Sequence, residues 1–245
     1  MEDIDVPTPD GTMDAKLFHP AGPGPWPAVI MMPDAGGIRP AFEHMARRLA
    51  DAGYVVLLPN PFYREGRATS LQLAGSFADE AYRKRIYPLI ATLTPERIRA
   101  DSAAELDFLA KDPRVKGPRV GVVGYCMSGS LAVRIAADHP AVVAAAASNH
   151  GGRLATEAPD SPHRRVGDVR GELYFGHADQ DASMPADAIA RLEEALKQSG
   201  ARYRSELLPG ARHGYAVEDA PAFDPGASEH HWQRLLDLFG RTLKP

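Results

Sequence analysis

One segment limits what this chain can fold into more than any other. Arg119-Val-Gly-Val-Val-Gly124 is a short apolar run that reads as a buried strand, and Ser130-Leu-Ala-Val-Arg-Ile-Ala-Ala137 reads as a helix. Between them, Gly124-Tyr-Cys-Met-Ser-Gly129 has the form of a nucleophile elbow with cysteine at its apex, a sharp turn that lifts one side chain above the end of a sheet. Glycines flank the turn because Cβ atoms there would collide in so tight a bend. Cys126 is the one cysteine in 245 residues. A lone cysteine is ordinarily a small buried apolar residue; its position in this turn reverses that expectation.

The rest of the chain repeats the strand and helix theme. Gly11 punctuates a hairpin-like N-terminal stretch ending near Phe18, and Ala21-Gly-Pro-Gly-Pro-Trp-Pro27 is a stiff turn before the strand Ala28 to Met32. Phe42, Met45, Ala46 and Leu49 recur at helical spacing over Ala41 to Ala52, and Gly53 ends that helix. Tyr54 to Leu58 is a strand stopped by Pro59 and Pro61. Pro95 to Leu109 is an amphipathic helix, Ala141 to Ala147 and Glu172 to Phe175 are strands, and Pro185 opens a helix running to Lys197. Ala201 to Leu208 is the last strand and Glu229 to Leu243 the last helix. Continuous apolar strands alternating with helices imply a mostly parallel sheet covered on both faces, in one α/β domain over residues 1–245. In such sheets the loops beyond the carboxyl ends of the strands carry the site. Residues 62–92, with aromatics and arginines but weak helical patterning, are expected as an excursion over that end or as a plain surface loop and helix.

Composition removes several classes of function. The net charge is −4 and Lys and Arg are scattered, so no basic surface recommends nucleic acid. The acidic N-terminus does not resemble a signal peptide, and no window approaches the roughly 18 apolar residues of a membrane span. A single cysteine forms no internal disulfide, which makes a reducing cytoplasm the expected compartment, and it excludes multi-cysteine metal sites. Neither a metal nor an organic cofactor is expected.

A thiol becomes a strong nucleophile when ionised, and a base, a cation or a helix N-terminus achieves that. Cys126 stands at a helix start, where the partial positive charge favours thiolate. A base and a carboxylate should then follow at later strand ends. Leu208-Pro-Gly-Ala-Arg-His-Gly-Tyr215 supplies His213, just past the last strand. His150, His163 and His177 are weaker rivals, and His230 and His231, on the last helix, are expected in solvent. Two aspartates compete to orient the base. Asp181 precedes the proline-opened helix by four residues and is preferred; Asp179 lies nearer the strand end, and whichever is unused serves as a cap or in loop solvation.

The order nucleophile, acid, histidine is that of the α/β-hydrolases. Gly124-Tyr-Cys-Met-Ser-Gly129, Gln180-Asp-Ala-Ser-Met-Pro185 and Ala211-Arg-His-Gly-Tyr215 together resemble the dienelactone hydrolase (carboxymethylenebutenolidase) family, from Ala28 to the last helix. The resemblance implies an α/β-hydrolase fold, with a mostly parallel central sheet and helices on both faces. It supports Asp181, because that family places its acid four residues before a proline. It adds Asp34, in Met32-Pro-Asp-Ala-Gly-Gly37, at the place of an acidic residue that touches the resting nucleophile, although the family residue is a glutamate, one methylene longer. It makes the amides of Ala35 and Met127 the oxyanion hole. It further implies a monomer or homodimer acting on a small-molecule ester or lactone through an acyl-enzyme. An acyltransferase using the same triad and a non-catalytic binding protein are the alternatives. Two arginines that hold the substrate carboxylate in the family are replaced by Val217 and, by alignment, Ala78. Arg64, Arg83 and Arg85 are candidates to replace them, with surface solvation the plainer expectation for each.

Overall fold

The computed structural model describes residues 1–244. Its centre is an eight-stranded sheet, and its order follows from which segments can hide both faces. The strands are β1 (Glu2–Thr8), β2 (Gly11–Phe18), β3 (Trp26–Met32), β4 (Val55–Pro59), β5 (Val115–Tyr125), β6 (Val143–Asn149), β7 (Glu172–Gln180) and β8 (Arg202–Arg212). They lie in the order β1-β2-β4-β3-β5-β6-β7-β8. The hairpin β1–β2 and the pair β2–β4 are antiparallel, and every pair from β4 to β8 is parallel.

The helices are α1 (Pro40–Asp51), α2 (Glu80–Ala91), α3 (Pro95–Lys111), α4 (Met127–Asp138), α5 (Ala186–Ser199) and α6 (Pro225–Leu243). Alternation along the strands divides the core in two. Ala28, Ile30 and Met32 of β3 face α3, α4 and α5, while Val29 and Met31 face α1 and α6. In β4, Val55 and Leu57 take the first side and Val56 and Leu58 the second. A run with no polar member is what a strand covered on both faces requires. The α/β architecture expected from the sequence is therefore present. Among the described residues no helix is long and apolar enough to cross a membrane.

Several boundaries differ from the sequence reading for identifiable reasons. α4 begins at Met127 instead of Ser130, because the turn before it is completed by Cys126 alone. β8 continues through Pro209 to Arg212. Proline lacks a ladder donor, but β8 is an edge strand, where a missing N–H costs little. α6 starts four residues early, with Pro225 in its first turn and the Asp224 carboxylate accepting from the Ala227 amide at 2.9 Å. Within residues 62–92, α2 is capped by Asp79, whose carboxylate accepts from the Ala81 amide at 2.8 Å. The expectation that His231 is solvated is corrected: it is 0% exposed. Its Nδ1 donates to the Ser228 carbonyl at 2.6 Å, and its ring meets Tyr125 edge-on at 5.7 Å. The apolar stripe of α6 faces the sheet and carries this imidazole in with it.

Glu105 of α3 is the main unpaired charge-bearing group of the interior. It is 1% exposed, lines a small cavity with Asp101, Ser102 and Leu131, and its Oε2 has no partner among the described residues. Burial, and then the Asp101 charge, raise its pKa from 4.5 to about 8. The folded chain thus holds this proton more tightly than the unfolded one. The resulting stability is full below 4.5 and is lost as pH rises through 8. We expect Glu105→Gln to gain on the native protein across that window, by at most about 1.4 kcal/mol per pH unit. Urea unfolding at a series of pH values measures this. A pH-independent difference between the two proteins would show that Glu105 does not titrate there.

Candidate active site

The parallel strands end together, and their loops bring distant residues to one place. β5 delivers Cys126 in a conformation few L-residues adopt, with φ 57° and ψ −122°. The space around it explains the glycines. A Cβ on Gly124 would stand 2.0 Å from the Ser128 carbonyl oxygen, and one on Gly129 would stand 2.3 Å from Ser148 Oγ. Ser128 ties the bend down from beneath. Its hydroxyl accepts from the Tyr125 amide at 2.9 Å and donates to the Met32 carbonyl at 2.8 Å, joining the turn to the end of β3. The Cys126 thiol is free and half-buried.

β7 and β8 bring the other two groups. His213 Nδ1 donates to Asp181 Oδ2 at 2.7 Å. The Asp181 side chain is 1% exposed, and its second oxygen accepts from the Ser183 amide at 2.8 Å and the Ser183 hydroxyl at 2.6 Å. Burial pushes the Asp181 carboxyl up, but the bond and charge of His213, followed by Ser183, hold it below the usual aspartate value. Burial likewise opposes a charge on His213. Asp181 and then the approach of the Cys126 thiol overcome this and push the imidazole up to about 10. The rival carboxylate is engaged elsewhere. Asp179 Oδ2 accepts from the Gly210 amide at 3.0 Å, fastening the turn that leads to His213.

Asp34 lies in the tight turn after β3, where the Gly37 amide donates to the Asp34 carbonyl at 3.0 Å. Its carboxylate does not pair with Cys126. Both oxygens accept from Arg39, at 2.6 and 3.0 Å, and Oδ1 also accepts from the Gly36 amide at 2.8 Å. Aspartate is one methylene short of the expected glutamate, and a guanidinium five residues on takes its charge. Arg39 also donates to Asp219 at 2.7 and 2.9 Å, bridging the turn after β3 and the loop after His213. Neither the Ala35 amide nor the Met127 amide donates to a protein oxygen among the described residues. Both residues pack against Leu73, Tyr82 and Ile86, so the segment 62–92 covers this end of the sheet.

Other candidates fall elsewhere. Arg64 is locked between Asp10 and Asp101, Arg83 donates to the Phe77 carbonyl, and Arg85 donates to the Ala74 carbonyl with its guanidinium 5.5 Å from the Tyr82 ring centre. Val217 is 0% exposed within the core. His177 is buried against Phe175, and burial pulls it down to about 4; His163 bonds Ser161, and His230 bonds Glu206. Among the described residues no group of three or more His, Cys, Asp or Glu could hold a metal ion. Sequence reasoning misses Ser183 and Arg39. The first lies inside the quoted motif beside Asp181; nothing in the spacing of the second signals a partner 180 positions away.

Comparison with known proteins gives the family and the fold. Residues 13–243 match the dienelactone hydrolase family. A candidate carboxymethylenebutenolidase of Methylorubrum extorquens is 24% identical over 241 residues, covering 97% of this chain and 79% of its own length. A candidate 2-oxo-3-(5-oxofuran-2-ylidene)propanoate lactonase of Bradyrhizobium is 26% identical, covering 96% of this chain and 92% of its own. Among solved structures, a candidate dienelactone hydrolase of Klebsiella pneumoniae superposes with a TM-score of 0.86 at 21% identity, covering 98% of each chain. A dienelactone hydrolase-like promiscuous phosphotriesterase from metagenomic libraries gives 0.78 at 21% identity, again covering 98% of each chain. Both structures share the fold.

The His213 titration tests the electrostatics directly. Asp181→Asn removes the charge and keeps the shape, and should lower the His213 pKa from about 10 by about one to three units. Imidazole resonances followed by NMR against pH measure it. An unchanged value would mean that the Asp181 charge contributes nothing.

Proposed function

The chain belongs to the dienelactone hydrolase family, and from that membership we propose that it hydrolyses small esters or lactones with Cys126 as nucleophile, His213 as general base and acid, and Asp181 as the carboxylate that orients it. The observation that carries this reading is the pairing of Asp181 with His213 at 2.7 Å beside a half-buried thiol on a strained turn.

His213 Nε2 takes the thiol proton, and the imidazolium is stabilised by the buried Asp181 carboxylate. The sulfur attacks the ester carbonyl carbon, and the carbonyl oxygen becomes an oxyanion between the Ala35 and Met127 amides. One such donor is worth about 2.7–4 kcal/mol, because it is aimed at charge that exists only in the transition state. As the carbon–oxygen bond breaks, the imidazolium passes its proton to the leaving oxygen and the acyl group remains on sulfur. Water then attacks the thioester while His213 takes its proton. The tetrahedral intermediate collapses, the sulfur leaves, and the carboxylic acid is released. His213 restores the thiol. No other group is required to balance the protons.

Asp34 acts less directly than the family resemblance implies. Its charge is taken by Arg39, so the thiol proton goes to His213. Asp34 instead shapes the turn that presents the Ala35 amide. The relatives' names point to lactones of carboxylated substrates. Here Val217 and Ala78 stand where the family has its carboxylate-binding arginines, so the reading is an ester or lactone hydrolase whose binding does not depend on them.

A hydrolysis screen over short p-nitrophenyl esters and lactones tests the proposal. Cys126→Ala should lower turnover about a thousandfold or more while the folded spectrum persists. His213→Ala should do the same. Undiminished turnover in the folded Cys126 variant would end the proposal.

A further inference from the structure

Beneath the elbow lies a histidine that the mechanism above does not use. His150 directly follows β6, is 1% exposed, and sits at φ 38°, in the left-handed region. Its Nδ1 is 3.1 Å from the Cys126 amide nitrogen. The same amide reaches the Asn149 carbonyl at 3.2 Å, so two acceptors share the one N–H of the nucleophile residue. A backbone amide only donates. Nδ1 is therefore the bare nitrogen, and the proton of a neutral imidazole stands on Nε2.

The ring has close neighbours on several sides. It meets His213 edge to face at 5.2 Å between centres and Tyr215 at 5.1 Å, with Tyr125 tilted at 5.9 Å. Nε2 has no hydrogen-bond partner among the described residues. Burial, followed by the His213 and His231 charges, holds the ring neutral while His213 favours its cation. The position thus carries two penalties: an unsatisfied buried N–H and a positive φ. A phenylalanine would fill the space without the first of them. What histidine adds is the Nδ1 acceptor.

We infer that His150 is a positioning residue: its Nδ1 pins the Cys126 amide so that the sulfur stays aimed at His213, and its ring is the wall against which the His213 imidazole is set. The inference rests on the hydrolase reading for its consequence in turnover, but the hydrogen bond and its effect on the thiol are measurable without turnover.

Ring 15N spectra and two variants test it. The native protein should show His150 with Nδ1 unprotonated and Nε2 protonated through neutral pH; a protonated Nδ1 would overturn the inference, since it could not accept. His150→Phe keeps an aromatic ring and loses the acceptor. His150→Asn keeps an acceptor near Nδ1 and tolerates a positive φ. The Phe variant should lose about tenfold or more in the rate of Cys126 alkylation by iodoacetamide and in kcat, as small misplacements of a reacting group do, with KM held within about twofold. The Asn variant should recover most of the alkylation rate. Equal rates in all three folded proteins, or equal losses in both variants, would overturn the acceptor role. If the Phe variant does not fold, the 15N spectrum of the native protein still decides. Turnover surviving in Cys126→Ala would remove the hydrolase reading and leave the spectrum and alkylation results standing on their own.

Discussion

The structure around the site depends on one bend. Cys126 holds φ 57° and ψ −122°, a conformation that costs a side-chain-bearing residue on the order of 1–3 kcal/mol. Nothing at Cys126 itself offsets that. The surroundings do: space left by Gly124 and Gly129, the Ser128 hydroxyl between the Tyr125 amide and the Met32 carbonyl, and the bonds from the Cys126 amide into the end of β6. They come from β3, β5, α4 and the end of β6, so the bend is over-determined by several elements and does not rest on its own preferences. A backbone held this way leaves Cys126 little freedom, and the proposed reaction depends on that restriction to bring its sulfur to His213, more than eighty positions downstream.

The same sheet edge decides the electrostatics. Asp181 is buried enough that its charge would be expensive alone, and His213 is buried enough that its cation would be expensive alone. Each removes the other's penalty, which is the condition under which a buried ion pair persists. Arg39 pairs with both Asp34 and Asp219. Two loops that carry opposite halves of the proposed chemistry, Ala35 on one and His213 on the other, are thereby held by a guanidinium with bonds to both. Both oxygens of Asp34 are engaged by Arg39, and neither bonds the Cys126 thiol.

Much of the fold is legible in the sequence because burial on both faces leaves a simple record. The runs at Ala28, Tyr54, Arg119 and Ala141 contain almost nothing polar, and each forms a central strand. The order cysteine, aspartate, histidine is legible for a related reason: Cys126 follows such a run, and Asp181 and His213 each lie just past the end of a later strand. Contacts between loops are not. Arg39 meets Asp219 across 180 positions, and His150 meets Cys126 across 24, with no periodicity to mark either. His231 misleads because adjacent histidines on a helix look polar, yet a helix face is chosen by its neighbours. Trp232, Leu235 and Phe239 turn that face inward. Pro209 would stop a central strand and does not stop one at an edge.

The segment from 62 to 92 is the least legible and has the most bearing on selectivity. Its hydrophobic pattern is weak because the buried residues that seat it with Ala35 and Met127, which are Phe62, Leu73, Tyr82 and Ile86, do not recur at one helical or strand spacing. Glycines on both sides of the contact make the fit close: a Cβ on Gly75 of the segment would fall 2.1 Å from the Tyr82 ring, and one on Gly37, in the turn after β3, would fall 2.6 Å from Leu73. Burial raises the Tyr82 phenol above its usual pKa. Phe77 packs on Tyr82 at 5.1 Å and Tyr87 on Phe77 at 5.9 Å, carrying the aromatic surface outward to solvent. Arg39 is already shared by two carboxylates and Val217 is sealed in the core, so neither position offers a free cation to a bound acyl group in the proposed reaction. Apolar contact with the aromatic rings is a source of binding energy that the proposed reaction can draw on without such a cation.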